Sequence, residues 1–144
     1  MAKTIDIDLL SGMRFDATGE DGTVVELDSA EEHGGVGGGF RPMELMLISL
    51  GGCTAMDVVS ILRKKRQELT SYRVQVTGEQ QDEYPHVYTD ISIRHIFRGN
   101  GVDEQAVAHA IELSETKCCP AYAMLSKAAR ITTSFEVQPD TPKD

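Results

Sequence analysis

The chain has 144 residues, 40% of them apolar and 26% charged, with a formal net charge of −9. That length fits one domain able to bury a core without disulfide staples. The negative balance argues against nucleic acid and anionic membrane surfaces, whose phosphates repel it, and favours small neutral or weakly polar ligands.

Met1–Leu10 holds one lysine, alternates with acids and has no apolar run of the secretory kind. Between Glu44 and Asp57 only about a dozen uncharged residues run together, short of the roughly 18–20 of a membrane span. A cytoplasmic protein is therefore expected. In a reducing compartment Cys53, Cys118 and Cys119 are not a disulfide framework. They are expected to be buried, metal-bound or redox-active.

The first three elements read as strands. Thr4–Leu10 alternates Ile5, Ile7 and Leu9 against Asp6 and Asp8, and Met13–Thr18 places Met13, Phe15 and Ala17 on one face. Asp21-Gly22 is a hairpin signal, and Thr23–Leu27 follows it. His33–Phe40, HGGVGGGF, has neither the Gly-Lys-Ser/Thr ending of a P-loop nor the spacing of a dinucleotide fingerprint, so it reads as a pliable connector or lid.

Arg41–Arg66 reads as one long helix, apolar on most of its surface. Pro42 suits its first position, and Arg63-Lys64-Lys65-Arg66 suits the negative end of its dipole. Such a helix is expected to be buried on most sides. Cys53 in its middle is either inert filling or the reactive atom.

Tyr72–Thr77 and Val87–Phe97 alternate and form a hairpin across Asp82–Pro85, with Val87, Thr89, Ile91, Ile93, His95 and Phe97 sharing a face. Asp103 can cap a helix running through Glu115, with Val107, Ala110 and Ile111 as its stripe. Pro120 opens another helix with Met124, Leu125 and Ala128 inward, and Ile131–Val137 is a last strand. The order βββ-α-ββ-αα-β segregates strands from helices, so the fold class is α+β. One domain over residues 1–138 with a flexible tail over 139–144 is expected.

Cys119 immediately precedes Pro120 at a helix start, where free N–H groups and the dipole stabilise a thiolate. The alternative is a small buried residue. Cys118 is expected in the core or as an accessory. The cysteine spacings match no structural zinc site, so neither metal nor cofactor is expected. His95 reads as a satisfied, partly buried histidine; His33 has the best chance of approaching a site. Thiolate attack on a peroxide needs a low thiol pKa and charge support for the leaving oxygen, which guanidinium supplies; Arg41 and Arg14 are the candidates.

The proline-led helix RPMELMLISLGGCTAMDVVSILRKK, followed by CCPAYAML, resembles the OsmC/Ohr family, in which one helix carries a cysteine and a Cys-Pro opens a later helix. The resemblance covers nearly the whole chain. It implies antiparallel sheets packed around long central helices in an intertwined homodimer, with active sites at the subunit interface. It also implies a thiol-dependent peroxidase that reduces organic hydroperoxides in oxidative-stress defence, with a thiol or dithiol as reductant. By that resemblance Cys53 is peroxidatic and Cys119 resolving.

The helix departs from the family's Asn-Pro-Glu opening: Arg41 precedes the proline, Met43 follows it, and the acid comes at Glu44. At roughly 100° per residue, Glu44 projects to the side of the helix opposite Cys53. This points to a YhfA-like branch, with Arg41, Arg14 and Glu44 as supporting residues. The alternative to an enzyme is a small-ligand-binding or redox-sensing protein of the same fold, with Met43, Met46 and Met56 as adaptable pocket walls.

Overall fold

A computed structural model describes residues 1–140. The chain divides into two units, Met1–Met46 and Leu47 onward.

The first unit is an antiparallel sheet of β1 (Asp6–Ser11), β2 (Arg14–Thr18) and β3 (Val24–Leu27), in that order. Gly12 and Gly22 take the positive φ that their turns need. The glycine-rich segment then folds round one carboxylate. Asp28, only 2% exposed, accepts from the backbone N–H of Ser29 at 2.8 Å, Val36 at 3.1 Å and Gly38 at 3.0 Å. These bonds, Gly38 first, hold its carboxyl below the usual range against the opposing effect of burial. The segment is therefore a connector tied down at Asp28, and Phe40 ends it by bridging to Leu27.

Helix α1 (Pro42–Lys64) begins with a reciprocal cap. Glu44 Oε1 accepts from the Arg41 backbone N–H at 2.8 Å, while the Glu44 N–H donates to the Arg41 carbonyl at 3.0 Å. The buried residues of α1 are Leu50, Gly51, Thr54, Val58 and Leu62. They form one stripe at helical spacing, not the all-round burial expected from composition. Met46, Ile48 and Met56 are 47%, 46% and 76% exposed. By length and composition α1 is apolar enough to cross a membrane, contrary to the sequence expectation. Its buried stripe is what makes it a core helix.

The second sheet contains β4 (Ser71–Gln80), β5 (Tyr88–Gly99) and β6 (Arg130–Pro139). β4 and β5 pair antiparallel, but β6 lies parallel to β5, so this sheet is mixed. A parallel neighbour needs a crossover, supplied by α2 (Glu104–Leu113), a π-helical turn (Ser114–Cys118) and α3 (Pro120–Leu125). Val58 and Leu62 of α1, Phe97 of β5, and Ala106, Val107, Ala110 and Ile111 of α2 make one core cluster.

Local irregularities account for the departures from simple patterning. The register shifts between Glu79 and Gln80, which puts Tyr88 inside and leaves Val87 45% exposed. The π turn ends α2 before Glu115. In and after α3, Met124 is 74% exposed, Ala128 is exposed and Ala129 takes the buried place. The tail expected from residue 139 begins inside β6, and residues 141–144 lie outside the described residues.

Candidate active site

The second unit brings two of the three cysteines together. Cys53 lies midway along α1 and is half-buried; Cys119 caps α3 and is 3% exposed. Their sulfur atoms and a carboxylate oxygen of Asp57 all lie within 4.8 Å of one another. Cys118, its neighbour in sequence, is exposed rather than core.

Local structure explains the convergence. Cys53 and Asp57 are four residues apart on α1, so they share a face one turn apart. The π turn inserts an extra residue's worth of backbone ahead of α3, and the Cys119 N–H closes it by donating to the Ser114 carbonyl at 2.8 Å. Cys119 then stands at the N-cap with extended backbone, φ −82° and ψ 106°. Pro120 follows at the first helical position, where a missing N–H costs nothing.

Neighbouring groups hydrogen-bond to Cys119 and Asp57. The Tyr122 backbone N–H donates to Cys119 Sγ at 3.3 Å, as an N-cap requires, and the fully buried Thr54 hydroxyl donates to the same sulfur at 3.5 Å. The Ser114 hydroxyl, also fully buried, donates to Asp57 Oδ2 at 2.9 Å. The Cys53 thiol is pushed above its ordinary value. Burial is the main cause, followed by its hydrogen bond with Cys119; the Ala121 backbone N–H opposes the rise, and the charges of Cys119 and Asp57 add to it.

Tyr122, beside the cap, also has its phenol pushed up, by burial first and then by the Glu115 charge. The Thr133 hydroxyl holds Glu115 by donating to Oε2 at 2.5 Å.

The remaining sequence candidates have their own partners. In the first unit Arg14 Nη2 pairs with Glu26 at 3.3 Å, and Arg41 Nη1 donates to the Gly39 carbonyl at 2.8 Å. Glu44 has the capping role already described. His33 is exposed. His95 is fully buried, accepting at or donating from Nδ1 to the Tyr72 hydroxyl at 2.6 Å, while Nε2 has no partner. Tyr72, His95 and Phe97 stack in near-parallel planes.

Sequence reasoning missed Asp57, Thr54 and Ser114. Asp57 was legible as the residue four after Cys53 on one helix face. Ser114 was not, because its approach depends on the π turn.

Residues 34–134 match the model of the OsmC-like protein family. The chain belongs to that family. It is 45% identical to Protein YhfA of Escherichia coli (strain K12) over 96 residues, 67% of this chain and 72% of that protein, which supports a YhfA-like branch. A crystal structure of a protein from Aquifex aeolicus VF5 superposes with a TM-score of 0.86 at 30% identity, covering 98% of this chain and 99% of that one. An organic hydroperoxide resistance protein OsmC from Legionella pneumophila superposes at 0.68 with 16% identity, over 95% of this chain and 98% of that one; this likeness concerns the fold. The α+β class read from the element order therefore agrees with OsmC-like structures.

Proposed function

We propose that this protein is a thiol-dependent peroxidase acting on organic hydroperoxides through Cys53 and Cys119. The observation that carries the reading is the approach of the two sulfurs to within 4.8 Å, one on a helix face and one at a helix N-cap. Cys53 Sγ, as thiolate, attacks the terminal peroxide oxygen; the O–O bond breaks, the alcohol leaves with a proton, and Cys53 becomes a sulfenic acid. Cys119 Sγ then attacks Cys53 Sγ, the S–O bond breaks, and water leaves as the disulfide forms. An external thiol or dithiol reopens the bridge. The name of the Legionella relative supports the substrate class.

Burial raises the Cys53 thiol, and a cation beside it would favour the thiolate. In this proposal Arg41 or Arg14, with Glu44 supporting, supplies it in a cytoplasmic homodimer whose active sites lie at the subunit interface. The exposed Met46, Ile48 and Met56 of α1 are the apolar surface such a dimer covers. Residues 1–138 act as one domain with a short tail.

A second reading is that the dithiol reacts slowly as a redox sensor, or that the fold holds a small ligand. An apolar cavity of about 410 Å³ beside α1, with Leu47, Ile48, Gly51, Tyr72, Val74 and Val76 in its wall, offers a place for a ligand; neither cysteine and none of Met43, Met46 and Met56 lines it. Cumene hydroperoxide consumption by the reduced protein, followed by mass-spectrometric disulfide mapping, decides between them. Turnover with a Cys53–Cys119 bridge, both lost in Cys53→Ser, supports the peroxidase. A bridge with no turnover supports the sensor, and neither bridge nor turnover leaves ligand binding.

A further inference from the structure

The second unit places three ligand atoms of suitable chemistry round one point. Cys53 Sγ, Cys119 Sγ and an Asp57 oxygen lie mutually within 4.8 Å, close to the spacing of donors about a shared ion, where metal–sulfur and metal–oxygen bonds are roughly 2.3 and 2.0–2.2 Å. Two thiolates and a carboxylate are a donor set that selects a soft or borderline divalent ion over magnesium or calcium.

The surroundings of the three donors strengthen the case. Metal ligands are held by outer hydrogen bonds that fix their direction. Ser114 holds Asp57 through Oδ2, leaving Oδ1 free of that bond. Thr54 and the Tyr122 N–H both donate to Cys119 Sγ, and its third neighbour is the Cys53 thiol; an ion would stand where the thiol proton lies between the two sulfurs. The Ala121 N–H acts on Cys53. Two of these outer residues, Thr54 and Ser114, are fully buried, so the cluster is built from packed elements rather than surface side chains. Three ligands leave a fourth tetrahedral position for water or a small ligand.

We propose that Cys53, Asp57 and Cys119 bind one zinc-type divalent cation in the reduced protein, and that disulfide formation between the two cysteines releases it. The binding stands on geometry alone; the release rests on the Cys53–Cys119 bridge of the peroxidase reading. The step balances: two metal-bound thiolates, one hydroperoxide and two protons give the disulfide, an alcohol, water and the free divalent ion.

The test uses the full chain carrying Cys118→Ser, which removes the exposed thiol as a competing ligand. Reduced, metal-free protein is titrated with zinc against a chromophoric chelator, and with cobalt to read thiolate-to-metal absorption. One equivalent is expected. Asp57→Asn should weaken it at least about ten-fold, and Cys53→Ser and Cys119→Ser at least about a hundred-fold, the range lost when the ligand environment of a site is disrupted. Protein oxidised with diamide, its Cys53–Cys119 bridge mapped by mass spectrometry, should bind none. That arm keeps every side chain, so it does not depend on how a variant folds. Zinc retained after the bridge forms, an affinity unchanged in Asp57→Asn, or no binding by the reduced protein overturns the site. Metal-free protein that consumes no hydroperoxide yet binds one zinc removes the peroxidase reading and leaves the site standing.

Discussion

Gly51 and Gly52 stand side by side before Cys53 on α1, and the structure gives them opposite surroundings. A Cβ on Gly51 would sit 2.7 Å from Val76 Cγ2 and 3.7 Å from Val74 Cγ1; one on Gly52 meets nothing within 4 Å. Glycine to alanine inside a helix gains about 0.8–1 kcal/mol of propensity at either position. At Gly51 that gain is opposed by overpacking, typically about 1–3 kcal/mol, because β-branched Val76 is stiff and α1 must lift from β4. Gly51→Ala should therefore be neutral to about 2 kcal/mol less stable, and Gly52→Ala up to about 1 kcal/mol more stable. The difference between the two isolates the tertiary clash, since backbone and propensity are shared. Urea unfolding reads it as opposite shifts in midpoint at unchanged slope. A Gly51→Ala variant as stable as Gly52→Ala would refute the close approach of α1 to β4. A destabilised Gly52→Ala would show that Gly52 meets a surface outside the single chain, as a second copy would provide.

Tyr72→Phe should cost about 1–3 kcal/mol, because it leaves buried His95 without its hydrogen bond; thermal unfolding checks it. Burial also depresses His95, from 6.5 to about 4. The unfolded chain takes up this proton first, so stability is full above about 6.5 and falls as pH drops toward 4, by up to roughly 3 kcal/mol. A His95→Gln variant whose pH profile matched the parent's over that window would contradict this. Asp103→Ala should destabilise by about 1 kcal/mol, since its carboxylate accepts from the Gln105 N–H at 3.0 Å at the start of α2; chemical denaturation reads the loss. Asp57→Asn removes a charge that raises the Cys53 thiol, so alkylation of Cys53 by iodoacetamide should begin at lower pH. An unchanged alkylation profile would mean that the carboxylate does not face the sulfur.

The presence of β1 to β5, the aspartate and proline caps of α2 and α3, and the segregated order of elements were legible because they depend on period and on one-residue chemistry, although burial alternates in β4 and β5 and not in β1, which is exposed throughout, or in β2 and β3. The antiparallel first sheet and the helical core stripe Val107, Ala110 and Ile111 follow from the same periodicities. Periodicity fails where the chain inserts a residue or a helix stops. The bulge opposite Gln80 reverses the side taken by Tyr88, and α3 stops at Leu125, so helical spacing does not carry on to Ala128 and Ala129 takes the buried place.

The candidate site divides along the same line. The two cysteines stand out in the sequence by their motifs, one behind a glycine pair in an apolar helix and one before a proline. Their meeting, and the presence of Asp57, Thr54 and Ser114 around them, required the crossover of α2 and α3 to return the chain to α1. The sequence by itself determined which residues form helices and strands and which motifs hold the cysteines, because those properties are local. Only the tertiary structure decided that β6 runs parallel to β5, that α1 buries a single stripe, and that a carboxylate shares the space of two thiols, because sheet order, burial and charge proximity depend on contacts between residues far apart in the chain.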